Sequence, residues 1–439
     1  MARNDRTDLD VPLSRYNFVL NVINGALSFA GGRAADLGTV VPLLVLRLVG
    51  AEWAVGLSAA VQEVARVGTQ LFSSRLLDAR EQKRPAYIFW SVIRVVALAA
   101  ASGALLTGVG RKPWLVLGVL LASLFLLMVG NGVAELAWSD ITARSVPSQR
   151  RGVLSTLRRV LGLGLSLLCA APLVNYFLSP RSPYGFPANY GALFLLNTIL
   201  SAGAWTAYSF TREPAAHAAR RRLTFAHHLR RGARFVQRDT AYRRLLRIRF
   251  IMGIAGAVPT FFIAFGKLAL GLPDSYAAMF LTLRMVSEMV GAVILGRISD
   301  RIGNRTVIRI STWLALVTFS CATASAWSAG PEGPVPTLSV SLLSLAFFML
   351  GLTAPGREMG EFNYMLDIAP APKRPSYIGF GNAFLLPLCL LPIVVGTLAP
   401  HTGYLPLFAG ATVVSVIAIY FTRHLEEPRD KLRPAEGAD

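Results

Sequence analysis

GRISDRIGNRT, residues 296–306, lies between two long apolar runs and fills a turn with one Asp, three Arg and two Gly. SRLLDAREQKR, residues 74–84, stands 222 positions earlier with the same layout: Arg75 matches Arg297, Asp78 matches Asp300, and Lys83 matches Arg305. A second pair of stretches aligns at an offset of 223, Glu135 with Arg150-Arg151 against Glu358 with Lys373-Arg374. Two independent alignments at about half the length of a 439-residue chain argue for a duplication.

What surrounds these turns defines the solvent. Hydrophobic residues make up 54% of the chain and charged residues 15%, with a mean hydropathy of +0.50. Soluble domains carry about 25% charge, so this surface is matched to lipid. A bilayer core of about 30 Å takes about 20 apolar residues per helix. Twelve runs of that kind are expected: 17–46, 53–77, 85–110, 114–139, 152–177, 190–210, 250–270, 276–295, 306–328, 337–364, 376–399 and 404–421. The fold class is therefore an all-α membrane protein. The duplication divides it into an N-terminal six-helix bundle over 1–210, a basic loop over 211–249 and a C-terminal six-helix bundle over 250–439, two pseudo-symmetric halves. The polar stretch MARNDRTDLDVPLSR does not read as a signal peptide, because the first apolar run behind it is too long.

The net charge of +20 invites a nucleic-acid reading, but the charges sit in short turns between apolar runs. With both termini and the even-numbered turns on one side, that side holds 31 Lys or Arg, counting Arg75 with its turn, 12 of them in 211–249; the other side holds five. This is a strong positive-inside signal. It predicts cytoplasmic termini in the inner membrane and anionic lipid as the partner of the central loop, with no nucleic acid.

The fuller of the two charged turns carries a family resemblance. Gly296, Asp300, Arg301, Gly303 and Arg305 match G-x-x-x-D-R-x-G-x-R, a cytoplasmic turn of the major facilitator superfamily. VPSQRRG at 146–152 is similar to the family's turn before its fifth helix, while IAPAPKRPSY is a looser counterpart. In the first turn Asp78 and Lys83 remain, but Ser74, Ala79 and Glu81 replace Gly, Arg and Gly. The chain resembles a bacterial branch of this family over its whole length. The resemblance implies twelve helices, secondary active transport of a small molecule by alternating access, a cavity lined mainly by helices one, four, seven and ten, and a gating role for the two turns. Asp300 is expected near the N-terminus of a neighbouring helix, while Arg301 and Arg305 pair with acids of the other half or reach lipid phosphate.

Ionisable residues at mid-depth are the candidate site. Each costs about 2.5–3.5 kcal/mol at a helix centre, so they should face the interior. Arg33 and Asp36 lie in the first span just after Gly31-Gly32, which could bend it; Glu63 and Arg66 lie in the second; Arg284 and Glu288 lie in the eighth. Spacings of three or four put each pair on one helix face. Three roles are open: an ion pair within each helix, substrate contact or proton coupling, and a latch between the halves. A carboxylate beside an Arg, as Asp36 beside Arg33 or Glu288 beside Arg284, has the composition of a proton-coupling site. Asn131, Glu135, Arg357, Glu358 and Glu361 lie towards the inner ends of the fourth and tenth spans and could line a vestibule. Arg94, Arg158, Arg159 and Arg309 are expected to snorkel to the surface. Pro259, Pro355-Gly356, Pro387 and Pro392 are expected to interrupt the seventh, tenth and eleventh spans, as helices do where they line a cavity.

Enzyme signatures are missing. Gly266-Lys267 lacks the upstream Gly of a phosphate loop, because residue 261 is Phe. Gly162 with Gly164 and Gly379 with Gly381 read as close-packing glycines. Cys169, Cys321 and Cys389 are scattered and lie in spans, and His227-His228 has no Cys or acidic neighbour, so no metal or cofactor is expected. The expectation is a monomeric, non-enzymatic transporter of a small organic molecule, coupled to protons or another ion, with export slightly favoured on family prevalence alone. The alternatives are a membrane sensor or partner protein that keeps the fold without transport, and a lipid translocase.

Overall fold

The computed structural model describes residues 11–78, 81–108, 112–214, 236–329, 337–370 and 374–428, and every regular element in them is helical. In chain order these are α1 (Val11–Ala34), α2 (Val40–Val49), α3 (Glu52–Asp78), α4 (Arg84–Thr107), α5 (Pro113–Ser145), α6 (Ser148–Leu165), α7 (Ala171–Leu178) and α8 (Ala188–Ser209). The second half adds α9 (Thr240–Ala255), α10 (Phe262–Leu268), α11 (Ser275–Arg301), α12 (Asn304–Ser328), α13 (Thr337–Ile368), α14 (Arg374–Leu385), α15 (Leu391–Thr402) and α16 (Tyr404–Thr422). A π-helical turn, Ser166–Ala170, joins α6 to α7.

Among the described residues nine helices, some running across these joints, are long and apolar enough to cross a membrane. The expected spans 17–46, 53–77 and 190–210 are also helical but are not among the nine. The first is broken at 35–39, the second carries Glu63, Arg66 and Arg75, and the third is diluted by Asn, Ser, Thr and Gly.

The chain packs as two compact units. Unit 1 comprises residues 1–35, 72–177 and 181–222; unit 2 comprises 36–71, 178–180 and 223–439. In unit 1, α4 lies against α5 and α8, and α1 against α6 and α8. Small residues allow these approaches. A Cβ on Gly31 would stand 2.9 Å from Ser201 Oγ and one on Gly162 would stand 2.5 Å from Phe29 Cβ. Gly31 is thus a packing residue. The expected bend at Gly31-Gly32 falls instead after Ala34.

In unit 2, α13 packs on α11 and α12, α16 on α9 and α12, and α2 on α10 and α11. A Cβ on Gly351 would lie 2.2 Å from the carbonyl oxygen of Arg284, so α11 and α13 are in backbone contact. Phe262, at the start of α10, packs edge-on against Phe347 and Phe408 with ring centres 5.7 and 5.3 Å apart, and Phe280 stacks on Phe347 at 4.5 Å. Pairs of this kind contribute about 0.5–1.5 kcal/mol each beyond area, and they hold a helix that Pro259 has broken into α9 and α10. The eleventh span is likewise interrupted, by a 3₁₀ turn at Leu386–Leu390 containing Pro387. The expected break at Pro355-Gly356 does not occur, since α13 runs through Pro355. Gly356 is used for packing there, with its would-be Cβ 2.0 Å from Ser311 Oγ.

Candidate functional site

The break between α1 and α2 is organised by Asp36. Its Oδ1 accepts from the N–H of Gly38 at 2.9 Å and from Thr39 Oγ1 at 3.0 Å, and its carbonyl accepts from the N–H of Val41 at 3.0 Å. A short acidic side chain that bonds the backbone two residues on stabilises a turn over a continuing helix. Arg33 closes α1 and Asp36 stands beyond its end, so the two do not share a helix face as their spacing predicted. Asp36 is buried, and a cation from far along the chain reaches it: Arg284 Nη1 lies 3.4 Å from Asp36 Oδ1. Arg284 therefore reaches out of α11 instead of serving only a partner one turn away on that helix. Gly38 makes the approach possible, because a Cβ there would stand 2.4 Å from Arg284 Nη1. Glu288, one turn further along α11, is buried too.

Glu63 and Arg66 form the expected pair within α3, Oε2 to Nη2 at 2.7 Å, but both side chains are exposed, at 48% and 41%. Of the vestibule candidates, Glu361 pairs with Arg249 at 3.0 Å, and Arg249 Nη2 also reaches Asn382 Oδ1 at 3.4 Å. Arg357 lines a small cleft with Met252, Gly256, Pro259 and Thr353. Glu135 and Glu358 are exposed.

The charged turns resolve into one device used twice. In unit 1, Glu213 Oε1 and Oε2 accept from the backbone N–H of Lys83 at 2.9 and 3.0 Å, and Oε2 accepts from that of Arg84 at 2.9 Å. Lys83 Nζ pairs with Asp140 at 3.0 Å, and Arg144 bridges Asp140 and Glu213. In unit 2, Glu427 Oε2 accepts from the N–H of Arg305 at 3.1 Å, while Asn304 Nδ2 donates to Asp367 Oδ2 at 2.7 Å. Each carboxylate meets the open N–H groups and positive dipole end of a helix N-terminus. Glu427 occupies the start of α12, and Asp300 and Arg301 are exposed at the end of α11. The Asp78 side chain lies outside the described residues. Of the two motif glycines, Gly303 has φ 122° and a would-be Cβ 2.5 Å from Glu427 Oε2, whereas Gly296 has open space. Sequence reasoning missed Glu213 and Glu427, although a signal was present: each is followed by Pro, at 214 and 428, just after the sixth and twelfth spans.

A correction concerns Arg94 and Arg158, two of the arginines expected to snorkel. Arg94 is buried at 4% exposure, with its guanidinium carbon 3.9 Å from the ring centre of Trp205. Arg158 lies over the Trp138 ring at 4.5 Å and donates to the Asn21 carbonyl at 3.1 Å. Arg159 lies at 6.0 Å from the Phe29 ring centre. Arg309 behaves as a helix-end residue, donating to the carbonyls of Thr422 and Arg423 at 3.1 and 3.0 Å.

The comparisons with known proteins agree with this architecture. Residues 248–438 match the model of the Major Facilitator Superfamily. Over that second half the chain is similar to the Major Facilitator Superfamily. Among curated proteins none matches the sequence. Similar solved structures include the nucleoside transporter NupG, at 14% identity and TM-score 0.69 over 94% of this chain and 100% of that one. A bacterial homologue of the iron transporter ferroportin is similar at 16% identity and TM-score 0.67, covering 95% and 99%. A POT family transporter in complex with 5-aminolevulinic acid is similar at 13% identity and TM-score 0.68, covering 94% and 96%. These neighbours are transporters and not enzymes, and their cargoes differ, so the shared facilitator fold carries no cargo with it.

Proposed function

We propose that this protein is a secondary active transporter of a small organic molecule in the cytoplasmic membrane, working by alternating access of two six-helix halves and driven by a proton gradient. The observation that carries the reading is the buried ion pair between Asp36, at the break in the first span, and Arg284 in the eighth. Charges this deep in lipid are kept where they do work. The pair joins two spans far apart in sequence, and its strength depends on the charge of one carboxylate. A proton on Asp36 removes the countercharge of Arg284 and frees the guanidinium for another partner. In this reading that exchange is the coupling step. Glu288, buried on the same helix, is the second carboxylate within the mechanism.

The direction is export, and both termini face the cytoplasm. The excess of Lys and Arg in 211–249 and the even-numbered turns supports that orientation. The clamps at Glu213 and Glu427 act within their own units. They keep the ends of the third and ninth spans rigid while the coupling pair changes state.

The test begins with a thermal-shift screen for a stabilising solute. Uptake of that solute into everted vesicles is then measured with and without an imposed pH gradient. Wild-type uptake should follow the gradient, and Asp36→Asn should transport without responding to it. Gradient dependence that survives in Asp36→Asn removes this carboxylate from the mechanism.

A further inference from the structure

The two units treat their inner cations differently. In unit 2, Arg284 faces Asp36 and Arg249 faces Glu361. In unit 1, no carboxylate pairs with Arg94 or Arg158 among the described residues. Arg94 donates from Nη2 to Ser91 Oγ at 2.7 Å and from Nη1 to Asn131 Oδ1 at 3.1 Å, and its guanidinium covers the rings of Trp205 and, at 5.4 Å, Tyr87. Its Nε is buried with no hydrogen-bond partner. Gly130 gives the side chain its bed, since a Cβ there would stand 2.5 Å from Arg94 Cγ. Arg158 spends its hydrogen bonds on Asn21, whose Oδ1 also accepts from Trp138 Nε1 at 3.0 Å.

The space between is polar but uncharged. The rings of Tyr87 and Tyr208 lie 4.7 Å apart, the Tyr87 hydroxyl accepts from Asn24 Nδ2 at 3.3 Å, and the Tyr208 hydroxyl meets Thr142 Oγ1 at 3.1 Å. Amides, hydroxyls and ring faces offset only part of a full positive charge. A cation–π contact contributes about 0.5–2 kcal/mol, against a larger cost for an ion taken out of water. The unmet donor at Arg94 Nε lies on the planar edge of a guanidinium, which matches a carboxylate, and the rings of Tyr87, Tyr208 and Trp205 beside it suit the apolar body of an organic carboxylate, which inorganic phosphate lacks.

We propose that this cluster is the binding site of an organic carboxylate, with Arg94 as the principal contact and Arg158 as the supporting charge. The proposal deepens the transport reading by naming the chemistry of the cargo. It is tested by binding, without a gradient, so its failure leaves proton-coupled transport of an uncharged solute standing. Half-buried Asn131 and Arg158 mark where the cluster reaches the surface.

The experiment uses the purified full-length protein at constant ionic strength, with benzoate, succinate, inorganic phosphate and choline as probes, read by thermal melting and calorimetric titration. At least one of the two carboxylates is expected to bind saturably, phosphate and choline are not, and Arg94→Gln is expected to weaken the carboxylate Kd at least tenfold. Arg158→Gln carries the same test if Arg94→Gln does not fold. Lys112→Gln, on an exposed turn, should bind like the wild type. Arg94→Lys keeps the charge but not the fork and should bind more weakly than the wild type. No saturable carboxylate binding, or binding unchanged in both Gln variants, overturns the proposal; a response to phosphate alone overturns the carboxylate assignment.

Discussion

Gly296 and Gly303 occupy matched places in one sequence motif, yet alanine at the two should act with opposite sign. Gly303 sits at φ 122° and ψ 165°, a region nearly closed to residues with a Cβ, so alanine there costs about 1–3 kcal/mol in backbone strain. Its Cβ would also fall 2.5 Å from Glu427 Oε2, the atom that accepts from the Arg305 N–H at 3.1 Å. Moving that carboxylate away forfeits a charge-assisted hydrogen bond of about 1.5–3 kcal/mol. The two effects together come to about 3 kcal/mol or more. At roughly 2–4 °C per kcal/mol for a unit of this size, Gly303→Ala should lower the melting temperature by about 6–12 °C. Gly296 lies inside α11 with nothing within 4 Å of a Cβ, so Gly296→Ala should be neutral or stabilising by up to about 1 kcal/mol, through helix propensity alone. The assay is thermal melting of both variants in one detergent. Equal losses in the two would refute the reasoning, because they would mean that the motif's glycines are needed for something other than backbone conformation and the Glu427 clamp.

Glu213→Ala removes the acceptor for two backbone N–H groups at the start of α4 and should destabilise by about 2–4 kcal/mol, with Glu213→Gln losing less; urea or thermal unfolding of the purified variants reads the order. Gly38→Val should push the Arg284 guanidinium off Asp36, since even a Cβ would lie 2.4 Å from Nη1, and its transport should lose pH-gradient dependence as Asp36→Asn does, measured in the same vesicles. Gly56→Leu should abolish folded protein by size-exclusion chromatography, because its Cβ would stand 2.1 Å from the Pro392 carbonyl oxygen, where α3 and α15 touch backbone to backbone. A single cysteine placed in 211–249 should react with an impermeant maleimide in everted vesicles but not in intact cells; the reverse would invert the proposed orientation.

Much of this molecule is legible without coordinates. The apolar runs locate the helices, because 20 consecutive residues without charge are matched to one solvent. The charged turns argue for a duplication, because the two share one spacing of Arg, Asp and Lys or Arg 222 positions apart. Pro259 and Pro387 announce real breaks, since neither position can donate to a helix ladder. Pro355 does not: α13 continues through it, where Gly356 lies against α12. Sequence could not say which way the arginines face. Arg94 reads as a residue near a helix end, yet it turns inwards onto Trp205, 111 positions away, because Gly130 leaves the room. Asp36 and Arg33 read as neighbours on one helix face, but Asp36 lies beyond the helix end, turns the chain with its oxygen and meets Arg284, 248 positions on. Local pattern determines where a helix runs and how much charge it carries, because those depend on near neighbours and solvent. The partner of each buried charge is decided by which backbones come close enough to touch, and that is a property of packing between distant segments.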